Sequence, residues 1–290
     1  MHFSFLFVAI CLVFATVDSS VSTSEIEKRQ MPGKGIPGME RLLMPNVFPR
    51  TYLDTRCTDG ERTRIKTAWD EAKLLAEAQT GNDGRFDHSA VHETWFGKEW
   101  NLRDTPLREM RSKAIQDNFE GLARLFGGIQ EDSENFVWWC NDHPTEDRCS
   151  DEEGEDTDAL LGARTWYLED QDFGQDEDHV INIQHVVFCP QWFDTETLGE
   201  QISRYKDDKE EQQFITNFES NAGVFMLHEI YHWKAVASKP IIDYAYGVED
   251  SIKLAREKGT ELAFANSDSY TLDALNIYIQ QAFGLVTDPS

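Results

Sequence analysis

Two histidines and one glutamate in the run His228-Glu229-Ile230-Tyr231-His232 have the residue types and the spacing for metal chemistry. On a helix, residues four apart share one face and lie about 6 Å apart along the axis, so both imidazoles can bind one metal ion. The glutamate that follows the first histidine places a carboxylate beside that ion. The run therefore predicts a helical metal site with a general base next to it.

A helical H-E-x-x-H pattern is the signature of zinc metalloproteases. A catalytic zinc ion has three protein ligands and keeps a fourth position for water, so two histidines leave one ligand to come from elsewhere in the chain. Asp243 lies eleven residues after His232, and Gly247 beyond it suits a turn. A carboxylate oxygen binds zinc directly at about 2.0 to 2.2 Å. We therefore predict that Asp243 is the third ligand.

Five segments carry a likeness to a known family. They are His228 to His232, then Asp243-Tyr244-Ala245-Tyr246-Gly247 with Asn266-Ser267-Asp268-Ser269-Tyr270, and upstream Ala163-Arg164-Thr165 and Phe188-Cys189-Pro190-Gln191-Trp192-Phe193. Together they resemble the aspzincin metalloendopeptidases, the deuterolysin and peptidyl-Lys endopeptidase family of secreted fungal enzymes. The resemblance covers roughly the C-terminal half of the chain.

This resemblance implies a zincin-like fold and one Zn²⁺ per chain, bound by His228, His232 and Asp243. It implies a zinc-activated water that attacks the peptide bond, with Glu229 as the general base. The Tyr246 hydroxyl would stabilise the developing oxyanion. Two further residues, Asn266 and Asp268, would orient ligands or line the pocket, although Asp268 could equally cap the helix that follows it.

The chain departs from the family pattern at two places. Ser238-Lys239-Pro240 stands where members usually have Gly-Thr shortly before the ligand aspartate. Lysine-specific members have an acidic residue three positions after the aspartate of the Asn-x-Asp-Ser motif, and here that position is Thr271. We therefore do not expect specificity for lysine.

Three alternatives to this interpretation stay open. A different zincin class would use a downstream glutamate as the ligand, with Glu249 and Glu261 available. The fold could also serve a non-catalytic secreted zinc-binding protein or antigen, although such relatives have arginine in place of the motif glutamate. A second pair, His88 and His92, has the same spacing but no glutamate after its first histidine, and we interpret it as packing.

Periodicity predicts an α+β protein with a helical N-terminal part, a small twisted sheet and an active-site helix. Apolar residues at helical spacing predict helices over 62–79, 106–126, 209–236, 248–258 and 269–281. Runs rich in β-branched and aromatic residues predict strands over 136–139, 163–168 and 180–188. Prolines and glycines predict an irregular arm over 30–56.

The N-terminal residues predict secretion. Residues 1–17 form an apolar run that is too short to cross a bilayer and ends in small residues, which is typical of a signal peptide. Residues 18–29 would be a short propeptide that ends at Lys28-Arg29. The remainder, 30–290, would be one catalytic domain with a helical part over 58–130 and a sheet and zinc-site part over 135–290.

Four cysteines remain after the predicted signal peptide, and an even number in an oxidising compartment predicts two disulfides. Of the three possible connectivities we favour Cys140–Cys149, which closes a short acidic loop, together with Cys57–Cys189.

The formal net charge is −26 and the sequence pI is about 4.5. A charge of this sign excludes nucleic acid and anionic membrane as expected partners, because their phosphates would be repelled. We expect protein or peptide substrates, a monomer and an extracellular location.

Overall fold

A computed structural model of the chain describes residues 39–41, 51–81, 88–127, 134–141, 149, 163–169, 182–237 and 239–287. The predicted signal peptide and propeptide lie outside these residues. The boundaries of the catalytic domain also stay a prediction.

The described residues form an α+β protein, as the sequence pattern predicts. Its strands are β1 (Met39–Arg41), β2 (Thr51–Asp54), β3 (Glu134–Cys140), β4 (Ala163–Glu169) and β5 (Asn182–Phe188). Its helices are α1 (Asp59–Thr80), α2 (Ser89–Phe96), α3 (Pro106–Phe126), α4 (Pro190–Asp194), α5 (Leu198–Tyr205), α6 (Ala222–Tyr231), α7 (Gly247–Glu257), α8 (Thr260–Ala263) and α9 (Ser267–Phe283). Two 3₁₀ turns, Glu211–Gln213 and Ile215–Asn217, precede α6.

The strands form one five-stranded mixed sheet in the order β1-β2-β3-β5-β4. Strands β2, β3 and β5 run parallel, whereas β1 and β4 are antiparallel to their neighbours. Strand β4 therefore forms one edge, and it lies beside α6, where the Thr165 hydroxyl donates to the carbonyl of Glu229 at 3.3 Å.

Short-range caps begin three of the helices. Thr58 and Glu61 form a reciprocal capping box at the start of α1. The Thr105 hydroxyl caps α3, whose first residue is Pro106. The Asn221 side chain accepts from the amide of Val224 at 2.9 Å and begins α6.

The core lies between the sheet and helices α1, α3, α6 and α9. Trp69 of α1 is fully buried at its centre and contacts the rings of Phe126, Trp138 and Trp233, with centroid distances of 4.7, 5.3 and 6.4 Å. Helix α6 is buried on nearly every side, as expected of a helix without a polar face. The motif helix is thus held by packing from several elements at once.

The absence of a side chain at Gly121 lets the backbone that follows α6 pack directly against α3. A Cβ atom at Gly121 would lie 2.1 Å from the carbonyl oxygen of Val236, which is backbone and cannot swing aside. We expect Gly121→Ala to lower the free energy of unfolding by about 3 kcal/mol or more, because an overpacked core must shift backbone. Urea unfolding followed by circular dichroism measures this change.

Gly60→Ala is the matched control for this prediction. Gly60 lies in the first turn of α1, and a Cβ atom there would come no nearer than 3.9 Å to another residue. The same substitution is expected to stabilise the protein by about 0.5 kcal/mol through helix propensity. Equal effects at the two positions would contradict the close approach at Gly121.

Two predictions about local structure were wrong. The predicted helix over 209–236 is divided, because Asn221 begins a new helix after the two 3₁₀ turns. The predicted irregular arm over 30–56 contains strands β1 and β2, of which β2 adds to the sheet beside β3. Both outcomes depend on pairing and capping partners that local hydrophobic periodicity does not report.

The favoured disulfide pairing was also wrong. The bonds are Cys57–Cys140, with Cα atoms 5.4 Å apart, and Cys149–Cys189, with Cα atoms 5.5 Å apart. The loop between Cys140 and Cys149 is short, but Cys140 ends β3 beside the start of α1, where Cys57 lies. Tertiary proximity decided the partners, and loop length did not.

No helix in the described ranges is both long enough and apolar enough to cross a membrane.

Candidate metal centre

The two motif histidines lie at the C-terminal end of α6. His228 is inside the helix and buried, whereas His232 is the C-cap residue, with its amide bonded to the carbonyls of Glu229 and Ile230. The last turn keeps helical geometry, so the ring centroids of the two histidines lie 5.1 Å apart. The spacing thus places both imidazoles on one side of the helix end, as predicted.

Asp243 reaches the histidines because the chain after α6 turns back along the start of α9. The Ile242 amide donates to the carbonyl of Ala265 at 2.8 Å, which joins the two segments in a short parallel bridge. The Asn266 side-chain oxygen then accepts from the amides of Tyr244 and Ala245 at 2.8 and 3.0 Å. Asn266, predicted to orient ligands or line the pocket, therefore holds the backbone directly after Asp243.

The three predicted ligands converge on one point. Nε2 of His228 and Nε2 of His232 are 3.3 Å apart, and each lies 3.2 Å from Oδ1 of Asp243. Tetrahedral zinc with ligand distances near 2.05 Å separates its donor atoms by about 3.3 Å, so the triangle has the edge length that zinc requires. Within the described ranges this is the one group of three or more His, Cys, Asp or Glu side chains placed to share a metal ion.

The hydrogen bonds behind the imidazoles orient their metal-facing atoms. Nδ1 of His232 lies 3.1 Å from the carbonyl oxygen of Ile241, which can only accept, so Nδ1 holds the proton. Nδ1 of His228 lies 2.6 Å from Oδ1 of Asp268 and donates to that carboxylate. Each Nε2 atom faces Asp243 and would give its lone pair to a bound metal ion, as in metal-binding histidines.

The charges around the triangle favour a cation. Burial lowers the pKa of His228, but the carboxylates of Asp268 and Asp243 outweigh it and raise that pKa well above its ordinary value. Burial raises the pKa of Asp243, but contacts with the two imidazoles outweigh it and lower that pKa. Two nitrogen lone pairs and one ionised oxygen suit zinc, which favours imidazole and carboxylate ligands.

Glu229 lies beside this triangle with an open acceptor position. Its side chain is buried, and in the described part of the chain its Oε2 atom has no hydrogen-bond partner. Its charge acts on both His232 and Tyr246, so the carboxylate lies near both side chains. A buried carboxylate oxygen with a free lone pair can accept a proton from a group in the site.

Tyr246 lies on the open side of the centre. Its ring stacks on His228 with a centroid distance of 6.0 Å, and the residue is 63% exposed. Partial burial of the phenol and the neighbouring Asp243 carboxylate raise the pKa of Tyr246. The hydroxyl therefore keeps its proton at neutral pH and can donate a hydrogen bond.

Asp268 contacts the centre and the start of α7 at the same time. Its Oδ1 atom accepts from His228, and its Oδ2 atom accepts from the amide of Gly247 at 2.6 Å. Asp268 lies in the first turn of α9, but the one amide that it accepts from, that of Gly247, belongs to α7, so the cap is not the one predicted. The sequence analysis did not identify the Ile241 carbonyl as the partner of His232, because a backbone carbonyl can come from any residue type.

We expect Asp268→Asn to weaken zinc binding by about 10- to 100-fold, because the partner behind His228 loses its charge. Competition with a chromophoric chelator measures the dissociation constant. Asp250→Asn, an exposed carboxylate in the first turn of α7, serves as the control and is expected to leave affinity unchanged. Equal affinities for wild type and Asp268→Asn would contradict the proposed support of His228.

The alternative ligands do not join the triangle. Glu249 is exposed on α7, and Glu261 is exposed and lies 3.5 Å from Arg111. Nδ1 of His92 lies 2.8 Å from the buried Asp273, and its ring packs on Trp100. That environment agrees with the interpretation of the second histidine pair as packing.

Comparison with known proteins finds similarity among solved structures only. No protein-family model and no curated protein sequence matches this chain. Among solved structures, a zinc peptidase from Grifola frondosa is similar at 15% sequence identity and a TM-score of 0.42, over 76% of this chain and 97% of that chain. A TM-score below 0.5 does not establish a shared fold, so the case for a metal site is made by the side chains of this chain.

Proposed function

We propose that the chain is a secreted zinc-dependent metalloendopeptidase that hydrolyses peptide bonds in protein substrates. The observation that carries this proposal is the triangle of His228 Nε2, His232 Nε2 and Asp243 Oδ1 with the Glu229 carboxylate beside it. A purely structural zinc site uses four protein ligands, whereas three ligands and an adjacent base are the composition of a hydrolytic site.

The roles follow from the contacts of each side chain. When bound, zinc polarises the scissile carbonyl and lowers the pKa of a coordinated water to about 7. Glu229 Oε2 takes a proton from the attacking water and delivers it to the leaving amine. The protonated Tyr246 hydroxyl donates a hydrogen bond to the carbonyl oxygen as negative charge develops there.

The surface around the centre suits an extended chain as substrate. Ile242, Tyr244 and Tyr246 lie next to Asp243 and are 50%, 45% and 63% exposed. Apolar side chains exposed on one segment beside a reactive centre can bind the residues that flank a scissile bond. Two disulfides support an oxidising, extracellular location.

Zinc content and cleavage of unfolded casein test this function. The wild type is expected to hold one zinc ion, to cleave casein, to lose activity with a chelator and to regain it when zinc is restored. A protein that holds one zinc ion and cleaves no unfolded protein over a wide pH range would instead be a zinc-binding protein on the same architecture.

A further inference from the structure

Helix α7 follows the N-cap residue Tyr246, whose own side chain does not cap it. The first amides of a helix have no partner within that helix, so those of Gly247 and Val248 need acceptors from elsewhere. The geometry of this turn sets where the Tyr246 side chain points.

Two carboxylates from different elements supply those acceptors. Oδ2 of Asp268 accepts from the Gly247 amide at 2.6 Å, and Oε2 of Glu219 accepts from the Val248 amide at 2.7 Å. Glu219 precedes the motif helix α6 by three residues, and Asp268 lies in the first turn of α9. Each carboxylate also interacts favourably with the positive end of the α7 dipole.

The Glu219 carboxylate packs closely against the backbone at Gly247. The Gly247 φ of +71° is a left-handed conformation that favours glycine, and a Cβ atom there would lie 3.2 Å from Oε2 of Glu219. The segment therefore turns sharply at Gly247 and rests against the Glu219 carboxylate. Tyr246, directly before this turn, is placed over the ring of His228.

We propose that Glu219 is a positioning residue for Tyr246. By capping the first turn of α7, it holds the phenol where its hydroxyl can reach the reacting carbonyl. This inference rests on the proposed function, because it assigns Glu219 to the same reaction. Glu219 touches neither the metal ligands nor the substrate in this account, so it acts through Tyr246 alone.

The predicted signature is a loss in kcat with little change in KM. A misplaced transition-state donor slows the chemical step, whereas substrate binding depends on other contacts. We expect Glu219→Ala to lower kcat by about tenfold, less than the ~100-fold expected for Tyr246→Phe, which removes the donor itself. Glu219→Gln is expected to recover most of the activity, because its amide oxygen can still accept from Val248.

The test compares wild type, Glu219→Ala, Tyr246→Phe and the double variant. Each is assayed on a peptide that spans the main site at which the wild type cuts casein, and each is checked for zinc content. If Glu219 acts only through Tyr246, Glu219→Ala changes kcat by less than about twofold in the Tyr246→Phe background. Hydrogen exchange of the Val248 amide, which donates to Glu219, is expected to rise in Glu219→Ala, whatever the activity.

Glu249→Ala is the matched control, because it removes an exposed carboxylate from the same turn of α7. It is expected to change neither kcat nor exchange. Should Glu219→Ala fail to fold, Glu219→Asp replaces it, since the shorter side chain falls short of Val248.

Three results would overturn the inference. They are an undiminished effect of Glu219→Ala in the Tyr246→Phe background, a loss of zinc in Glu219→Ala, and unchanged exchange at Val248. A wild type that binds zinc but cleaves nothing would overturn the proposed function and this inference together. Failure of the inference and failure of the proposed function are therefore distinguishable. The effect of Glu219→Ala in the Tyr246→Phe background is measured only when the wild type is active, whereas zinc content and exchange at Val248 require only a folded protein.

Discussion

Glu229→Ala is expected to reduce hydrolysis of unfolded casein by about 100- to 10,000-fold, while the protein still holds one zinc ion. The carboxylate is buried beside the ligand triangle, and its Oε2 atom has no partner within the described residues. Glu229 does not belong to the group of three ligands, so its substitution should leave zinc binding unchanged. Initial cleavage rates and zinc content, measured on the same preparations, check both parts of this prediction.

A matched substitution separates the base from general effects of charge. Glu257→Ala removes an exposed glutamate at the end of α7, far along that helix from Tyr246, and is expected to leave the rate unchanged. If Glu229→Ala kept more than about a tenth of the wild-type rate, another group would have to accept the proton. If both variants and the wild type held zinc without cleaving, the protein would be a zinc-binding protein without catalysis.

Asp243→Ala is expected to abolish stoichiometric zinc binding and activity together. It leaves two protein ligands where a catalytic zinc needs three. The affinity should fall by more than the ~100-fold upper range seen when a residue behind a ligand is changed. Dialysis against a competing chelator, followed by measurement of bound zinc, gives the result directly.

Glu249→Ala and Glu261→Ala are the informative controls for Asp243. Each removes a carboxylate that lies downstream of the motif and could have been the third ligand of a different zincin class. Both side chains are exposed and outside the triangle, so both variants should keep one zinc ion. Loss of zinc in Glu261→Ala with retention in Asp243→Ala would transfer the ligand role to the glutamate.

Local features of the sequence sufficed for helices α1 and α3 and for the paired histidines. The capping box of Thr58 and Glu61 and the Thr105-Pro106 start involve groups only a few residues apart, so their physics is contained in short segments. The histidines share one side because four residues make about one helical turn. Asp243 was predicted from its distance along the chain and from family likeness, and the structure places it at the histidines.

The groups that support the centre depended on tertiary structure. The Ile241 carbonyl behind His232 could belong to any residue type, and Glu219 meets the amide of Val248 across 29 positions of sequence. Neither contact leaves a periodic or short-range signal.

The sequence by itself thus determined which side chains could bind a metal and where the long helices α1 and α3 form, because spacing and capping are local. The tertiary structure alone decided the strand order, the disulfide partners and the carboxylates that cap α7. Those features join residues that lie far apart in the sequence and meet only in the folded chain. The packing of the whole core supplies the free energy that selects them.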